Sequence, residues 1–448
     1  MFKWYVKRKL VGYVKKYFRK HHPKLVVVAG SVGKTTTKTA IATVLSAKYR
    51  VAMEPENHNS EFSVPLAVLG IEFPPPEQLH KIGAWLKIFS AAKKRIKWPT
   101  GVDIIVQELG TDTPGEIAAF GEYLRPDIAV VTAVAPEHIQ NFPGGLADVA
   151  REELGVANYS DLLMVNRDDV DHSFAGLVTS TNVTTYGLVG GEYRFEIIDG
   201  TPLGGYKVKF FAPEFGGASA EHPQLEDVKN APEATVHLVG EHNVKAGVAA
   251  AAVAARLGMS ADEIVAALAD VRPVAGRMNV LPGVRGSTII DDTYNSSPNA
   301  AVAALLTLYQ IDAEQRIAIL GSMSELGDFS AEAHAQVGAQ CDPNWLDWVI
   351  TVGEDAAKYL APAAKANGCQ VKSFPGPIFA GTFANQVLQP SGVVLAKGSQ
   401  NGVFTEEAVK ILLAHAEDAS QLVRQSESWM AQKSAWLQSL RNIDSDDD

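Results

Sequence analysis

Apolar residues follow two alternating rhythms along this chain: short β-branched runs, and longer segments in which they recur every three or four positions. Residues 25–29 (LVVVA) form the first run, which stops at Gly30. The next stretch, GKTTTKTAIATVLSAKY, has helical spacing, so the order is strand, glycine loop, helix. Further runs at 103–106, 127–134 and 162–165 are separated by helical segments, which predicts a mostly parallel sheet covered on both faces. Residues 183–240 read differently, with alternating patterns and Gly turns that predict a β-rich part. Helical periodicity returns at 242–257 and 261–271, and the Ala-rich 248–255 reads as a buried helix.

Pro273 and Gly276 then punctuate the chain near a domain junction. Beyond it, runs at 287–291, 316–320, 348–352 and 392–396 again read as buried strands between helices, so a second, Rossmann-like α/β domain is expected. The pattern divides the chain into a basic N-terminal helix (1–23), a central domain (24–272), a C-terminal domain (273–424) and a terminal helix with an acidic tail (425–448). A hinge is expected at 273–283, with the active site in the cleft between the two large domains.

Composition narrows the class. Charged residues make up 20% and hydrophobic ones 46%, ordinary for a globular α/β enzyme and unlike a disordered chain. Two cysteines exclude a disulfide framework, so a reducing cytoplasm is the expected compartment. The net charge of -11 conceals an asymmetry: residues 1–24 hold nine Lys or Arg, and the first carboxylate is Glu54. Basic charge confined to one terminal segment does not suit a nucleic-acid-binding face. On a helical wheel of residues 2–20, Phe2, Val6, Leu10, Tyr13, Val14 and Tyr17 share one side and the cations occupy the other, so this segment is expected to be an amphipathic helix, lying on an anionic membrane surface or packed on the protein's own acidic body.

The glycine loop carries the first chemistry. Gly30-Ser31-Val32-Gly33-Lys34-Thr35, continuing to Thr36, matches the last part of a P-loop, with Val28 where the full pattern has Gly. Glycines let backbone N–H groups turn toward phosphate oxygens, Lys34 pairs with phosphate charge and Thr35 is placed to ligate Mg²⁺. A nucleotide with Mg²⁺ is therefore the expected ligand.

Further segments choose among nucleotide chemistries: ENHNSEFSVPLAVLGI, QELGTDTPGEI, TAVAPEHIQNF, VGEHNVKAGVAAAA, AGRMNV, IIDDTYNSSPNA, ILGSMSELGDFSAEAH and VLAKGSQNG. In this order they resemble the Mur ligase family over residues 25–415, and the DDTYNSSPNA and LGSMSELG blocks resemble its D-alanyl-D-alanine-adding branch. The resemblance implies an ATP-dependent ligase that activates a muropeptide carboxylate as an acyl phosphate and joins it to D-alanyl-D-alanine. It implies Mg²⁺ ligation by Glu108 and His138 with Thr35, and nucleotide contacts from His242, Asn243, Arg277, Asp292 and Asn295. Asn57, Asn59, Tyr294, Asn295 and Pro298 are carried over as substrate contacts, and Lys397 as a partner of the incoming substrate's carboxylate or of phosphate. Related expectations are an amide ligase acting on folate, poly-glutamate or a lipid-linked muropeptide, and a non-catalytic ATP-binding scaffold.

The chain departs from the family pattern at three places. Some 24 residues precede the P-loop strand, so the family's N-terminal UDP-binding domain is not expected. Ala246 stands where the family has a second Asn after Asn243. The lysine that becomes carbamylated in much of the family has no counterpart in ADVAREELG; Arg151, Glu152 and Glu153 are the candidates to replace it, and approximate spacing favours Glu152.

Overall fold

A computed structural model describes residues 2–55, 58–75, 78–79, 81–98, 101–179, 182–215, 231–400 and 402–443. Asn57 and the acidic tail after residue 443 lie outside the described residues. The chain divides into two compact units: residues 1–200, 206–237 and 243–272 form the first, and 201–205, 238–242 and 273–448 the second.

The first unit is built on a nine-stranded sheet. Its strands are β1 (Lys24–Ala29), β2 (Val51–Met53), β3 (Ile104–Glu108), β4 (Ile128–Val131), β5 (Leu163–Asn166), β6 (Val183–Gly187), β7 (Tyr193–Thr201), β8 (Gly205–Phe211) and β9 (Glu233–Val236). The spatial order is β2-β3-β1-β4-β5-β6-β7-β8-β9, with every pairing from β2 to β6 parallel and β8–β9 antiparallel. Val26, Val27 and Val28 of β1 are fully buried, as a central strand covered on both faces requires. Gly200, in the part read as β-rich, has φ 133° as β7 ends, a conformation that suits glycine.

Helices of this unit are α1 (Phe2–His21), α2 (Lys34–Ser46), α3 (Ser63–Val68), α4 (Ile82–Lys97), α5 (Glu116–Phe120), α6 (Leu146–Leu154), α7 (Glu241–Arg256) and α8 (Ala261–Leu268). The unit boundary falls in the first turn of α7. Residues 248–255 of α7 are wholly inside, since a run of Ala and Val lets the helix approach its neighbours on all sides. Ser260 starts α8 with a reciprocal capping box to Glu263.

The basic N-terminal segment is helical, but its apolar stripe is not at the surface. Val6, Leu10, Tyr13, Val14 and Tyr17 are buried. Val6 and Leu10 join Leu66, Trp85 and Ile88, while Tyr13, Val14 and Tyr17 join the core under the sheet. The expectation that this stripe meets a membrane is therefore corrected: the protein's own α3 and α4 cover it. No helix among the described residues is long and apolar enough to cross a membrane.

The second unit has a six-stranded sheet of β10 (Asn279–Pro282), β11 (Thr288–Asp292), β12 (Arg316–Gly321), β13 (Trp348–Val352), β14 (Val371–Phe374) and β15 (Val393–Lys397), in the order β10-β11-β15-β12-β13-β14. All pairings are parallel except β10–β11. Alternate residues feed two cores: Ile290, Ala318 and Leu395 pack on one face, Ile289, Ile317 and Val394 on the other. Its helices are α9 (Pro298–Tyr309), α10 (Ser330–Ala339), α11 (Ala361–Ala366), α12 (Pro377–Val387), α13 (Glu406–Leu412) and α14 (Glu427–Ile443). The parallel order brings the C-terminal ends of β11, β15 and β12 side by side, the edge where open α/β sheets collect ligands.

Candidate active site

The turn between β1 and α2 is shaped by two glycines with positive φ, Gly30 at 120° and Gly33 at 84°. A Cβ on Gly30 would lie 2.4 Å from Thr132 Oγ1 and 2.9 Å from Ala133 N, so no other residue fits there. The loop is laced to the end of β4: Ser31 N donates to Ala133 O at 2.9 Å, Ala135 N to Ser31 Oγ at 3.0 Å, and Thr132 Oγ1 to Val32 O at 2.6 Å. Gly33 immediately precedes α2, whose first N–H groups and dipole make an anion-binding end. Lys34 Nζ curls back onto Gly30 O at 2.6 Å and Ser31 O at 3.0 Å, inside the cradle that phosphate oxygens would share.

Beneath this loop Thr35 Oγ1 donates to Glu108 Oε2 at 2.8 Å, and Asn59 Nδ2 to Glu108 Oε1 at 3.3 Å. Register explains the meeting, because Glu108 ends β3 opposite Val28 on β1, just before the loop. Glu108 is 1% exposed, and Lys38 Nζ, equally buried, lies 3.9 Å from Oε2 while donating to Glu54 O at 2.9 Å. The sequence reading passed over Lys38, although its position one helical turn after Lys34 was the available signal. Two oxygens 2.8 Å apart match adjacent ligands of an octahedral Mg²⁺ with bonds of about 2.0–2.1 Å. The residues therefore fit the ion. Among the described residues no three His, Cys, Asp or Glu side chains form a metal cage.

His138 follows β4 in a left-handed conformation, φ 50°, and its Nε2 lies 3.4 Å from Asp112 Oδ1. Asn141 Nδ2 ties the same turn to Asp112 O at 2.9 Å. The structure thus places His138 with the loop that follows β3, whereas Thr35 and Glu108 meet directly.

Glu152, favoured by spacing, meets partners outside the phosphate loop. Its carboxylate accepts Gly115 N at 2.8 Å and Ile117 N at 2.7 Å, capping the start of α5 and leaving the phosphate loop to its neighbour. Glu153 is the one aimed inward: Oε2 accepts Gly30 N at 2.7 Å in a fully buried setting. Burial pushes its carboxyl up to about 7, against the opposing pull of Lys34 and the Gly30 N–H.

In the second unit Asp292 and Lys397 face each other across the ends of β11 and β15, where they are register partners. Lys397 Nζ donates to Asp292 Oδ2 at 2.6 Å and to Asn295 O at 3.0 Å, while Asp292 Oδ1 accepts Met278 N at 3.1 Å. Asp291, completely buried, accepts Gly276 N at 3.0 Å and Thr293 Oγ1 at 2.6 Å; burial raises its carboxyl to about 6 despite these donors. The turn carrying Tyr294 and Asn295 is thereby pinned at its start, and Pro298 begins α9 three residues after Asn295, where its missing N–H costs nothing.

Arg277 stacks on the Tyr294 ring, 4.1 Å from its centroid. Arg424 lies 5.8 Å from the same ring and donates to Thr293 O at 2.6 Å and Tyr294 O at 3.0 Å. Arg424 is itself held by a two-pronged bond to Glu406, and Lys433 of α14 joins Glu406 and Glu407. Neither Arg424 nor Lys433 was singled out from the sequence. No local pattern links them to Tyr294, because 130 residues separate Arg424 from that turn.

The LGSMSELG segment leaves β12 and is fixed by His334 on α10: Met323 N donates to Nε2 at 2.8 Å, and Nδ1 donates to Ser330 O at 2.7 Å. Ser324 N also donates to Ser399 Oγ at 2.9 Å, joining this segment to the KGS turn after β15. A polar cavity of about 320 Å³ opens here, lined by Ser322, Ser324, Glu325, Ser330 and Asp355. At the first turn of α7, His242 Nδ1 lies 3.5 Å from Thr307 Oγ1; Asn243 is half-buried and Ala246 buried in the same helix.

Comparison with known proteins gives the family. Residues 28–254 match the Mur ligase middle domain, and residues 276–400 match the "Mur ligase, glutamate ligase domain" model. The UDP-N-acetylmuramoyl-tripeptide--D-alanyl-D-alanine ligase of Bacillus subtilis is 26% identical over 363 residues, which cover 78% of this chain and 67% of that protein. The enzyme of the same name from Synechocystis is 29% identical over 394 residues, covering 87% and 74%. The solved structure of MurF ligase from Thermotoga maritima in complex with ADP superposes with a TM-score of 0.69 at 21% identity, over 92% of this chain and 84% of that one. With both domain models matched in order, and the phosphate loop and the β11–β15 strand ends built as described, the chain belongs to the Mur ligase family of ATP-dependent amide-forming ligases.

Proposed function

We propose that this protein joins D-alanyl-D-alanine to the terminal carboxylate of a muropeptide in peptidoglycan precursor synthesis. The relatives named above carry that activity in their names. The observation that carries the chemistry is the Thr35–Glu108 pair lying 2.8 Å apart directly beneath the glycine loop. Such a pair serves a nucleotide whose terminal phosphate is to be transferred, where charge develops on the phosphoryl oxygens.

In this reading the Gly30–Thr36 turn and Lys34 bind the phosphates, releasing Lys34 from the loop carbonyls. Thr35 and Glu108 would hold Mg²⁺, which would neutralise phosphate charge, and His138 would complete the set from the neighbouring loop. A muropeptide carboxylate oxygen attacks the terminal phosphorus and ADP leaves. The amine of D-alanyl-D-alanine then attacks the acyl carbon, loses a proton, and inorganic phosphate departs. Lys397, oriented by Asp292, offers its ammonium to an anion, either the dipeptide's carboxylate or the phosphate. Arg277 and Tyr294 stand beside it as one stacked unit.

Phosphate release measured with ATP, D-alanyl-D-alanine and UDP-linked or lipid-linked tripeptide tests the proposal, with products weighed by mass spectrometry. Release that depends on both substrates, with a product heavier by the dipeptide less water, is the expected result. ATP turnover indifferent to D-alanyl-D-alanine, or a product formed only with glutamate, would overturn it.

A further inference from the structure

The outer faces of α1 and α4 form a surface that the ligase chemistry does not use. The two helices run parallel: Lys20 Nζ donates to Lys97 O and His21 Nε2 meets Ile96 O at one end, the Tyr13 and Phe89 rings meet at a tilt midway, and Val6 and Leu10 pack with Trp85 and Ile88 toward the other. Eight Lys or Arg lie on α1 and five on α4, and neither helix contains a carboxylate. Among the described residues, Lys7 is the one of these with an acidic partner, Glu61, at 2.6 Å. At the shared N-terminal end, large apolar side chains stand in solvent: Trp4 is 62% exposed, Ile82 65% and Leu86 61%, with Phe2 and Tyr5 beside them. Arg8 and Lys9 lie over the Trp4 and Tyr5 rings.

An apolar cluster of this kind on an otherwise well-buried unit marks an interaction site. The geometry points to an anionic lipid surface as the partner, with the Trp4–Leu86 tip entering the headgroup boundary and the cations of both helices lying along the phosphates. Charge complementarity selects this occupant. A second copy of the same face would bring like charges together. Trp and Tyr rings flanked by Lys and Arg are the side chains that partition to a headgroup layer, and two helices of this length lay their cations in long rows rather than in one pocket. The buried stripe of α1 takes no part, because it is consumed in packing on α3 and α4.

Full-length protein is to be sedimented with phosphatidylcholine vesicles, with and without phosphatidylglycerol. Binding to the anionic vesicles that weakens with added salt is expected, with little binding to the neutral ones. Exposed positions serve for variants, and an unchanged melting temperature shows that they are folded. Lys15→Glu, Lys16→Glu, Lys93→Glu and Lys94→Glu together are expected to lower affinity by about a hundredfold or more. Trp4→Ser with Leu86→Ser is expected to lower it by about tenfold. No sedimentation with anionic vesicles, equal binding to neutral ones, or undiminished binding by both variants would overturn the proposal. So would capture by polyglutamate without vesicle binding, which would assign the face to an acidic protein, or a dimer dissolved by the Trp4 and Leu86 changes, which would assign it to a second copy.

Discussion

Lys397 and Asp292 are joined at 2.6 Å as register partners on adjacent parallel strands, and the lysine is almost completely buried. A buried ion pair is fragile in one sense only: removing one partner leaves the other charged and unsolvated. Lys397→Met or Asp292→Ala is therefore expected to cost about 3–5 kcal/mol in urea unfolding of the second unit. Product formation should fall below detection in both. The double change Asp292→Asn with Lys397→Met should restore most of the stability while leaving ligation lost. Restored ligation would show that the pair only holds the fold.

The Thr35–Glu108 pair predicts a metal phenotype separable from nucleotide binding. Glu108→Gln keeps the hydrogen bond from Thr35 but removes the charge, so the Mg²⁺ concentration for half-maximal phosphate release should rise at least about tenfold. Lys34→Ala should abolish release at every Mg²⁺ concentration. His138→Ala should raise the Mg²⁺ requirement as well; an unaltered titration would remove His138 from the metal site and leave it as the Asp112 partner that the fold shows.

Strand–loop–helix punctuation made β1, the phosphate turn and α2 readable, because Gly30 and Gly33 are demanded by local backbone geometry. Buried parallel strands such as β3 and β15 were readable for a similar reason, being short apolar runs between helices. β10 was not: four residues ending in Pro282 on an antiparallel edge carry no such pattern. The choice between Glu152 and Glu153 was beyond spacing, since neighbours on a helix point about 100° apart and one residue of slack in the Gly144–Gly145 turn reverses the answer. Arg424 and Lys433 act through tertiary contacts alone.

Glu152 therefore has a structural phenotype. Its carboxylate caps α5, so Glu152→Gln should cost about 0.5–2 kcal/mol of stability and leave kcat within about twofold. A loss of turnover beyond about a hundredfold at unchanged stability would return Glu152 to the active site.

His334 predicts an acid-sensitive loop. Burial holds its imidazole below the ordinary histidine range, although its bond to Ser330 O and the nearby Asp355 pull the other way. Nε2 must stay unprotonated to accept Met323 N, so this contribution to stability is present above the unfolded pKa of about 6.5 and is lost as pH falls through the lower folded value. Amide exchange at Met323 should quicken as pH is lowered through that range, beyond the intrinsic rate. His334→Gln should abolish that pH dependence, and an identical profile in the variant would refute the link.

Glu153 titrates in the opposite sense. Its folded pKa of about 7 lies above the ordinary carboxylate value of 4.5, chiefly because burial disfavours the charged form. The stability it contributes is thus fully present below about pH 4.5 and lost as pH rises through 7, a difference of up to about 3 kcal/mol. Glu153→Gln has no such titration and keeps an oxygen to accept Gly30 N. In nucleotide-free protein the stability of wild type relative to Glu153→Gln should fall steadily from pH 4.5 to 7 and then level off. Above pH 7 the wild-type carboxylate adds negative charge beside a loop meant for phosphate, whereas below it the neutral acid does not. Nucleotide affinity of the wild type should therefore weaken as pH rises through and above about 7, more than that of the variant, measured by calorimetry with ADP. Stability curves that run parallel from pH 4.5 to 8 would show that Glu153 is ionised throughout, held so by Lys34.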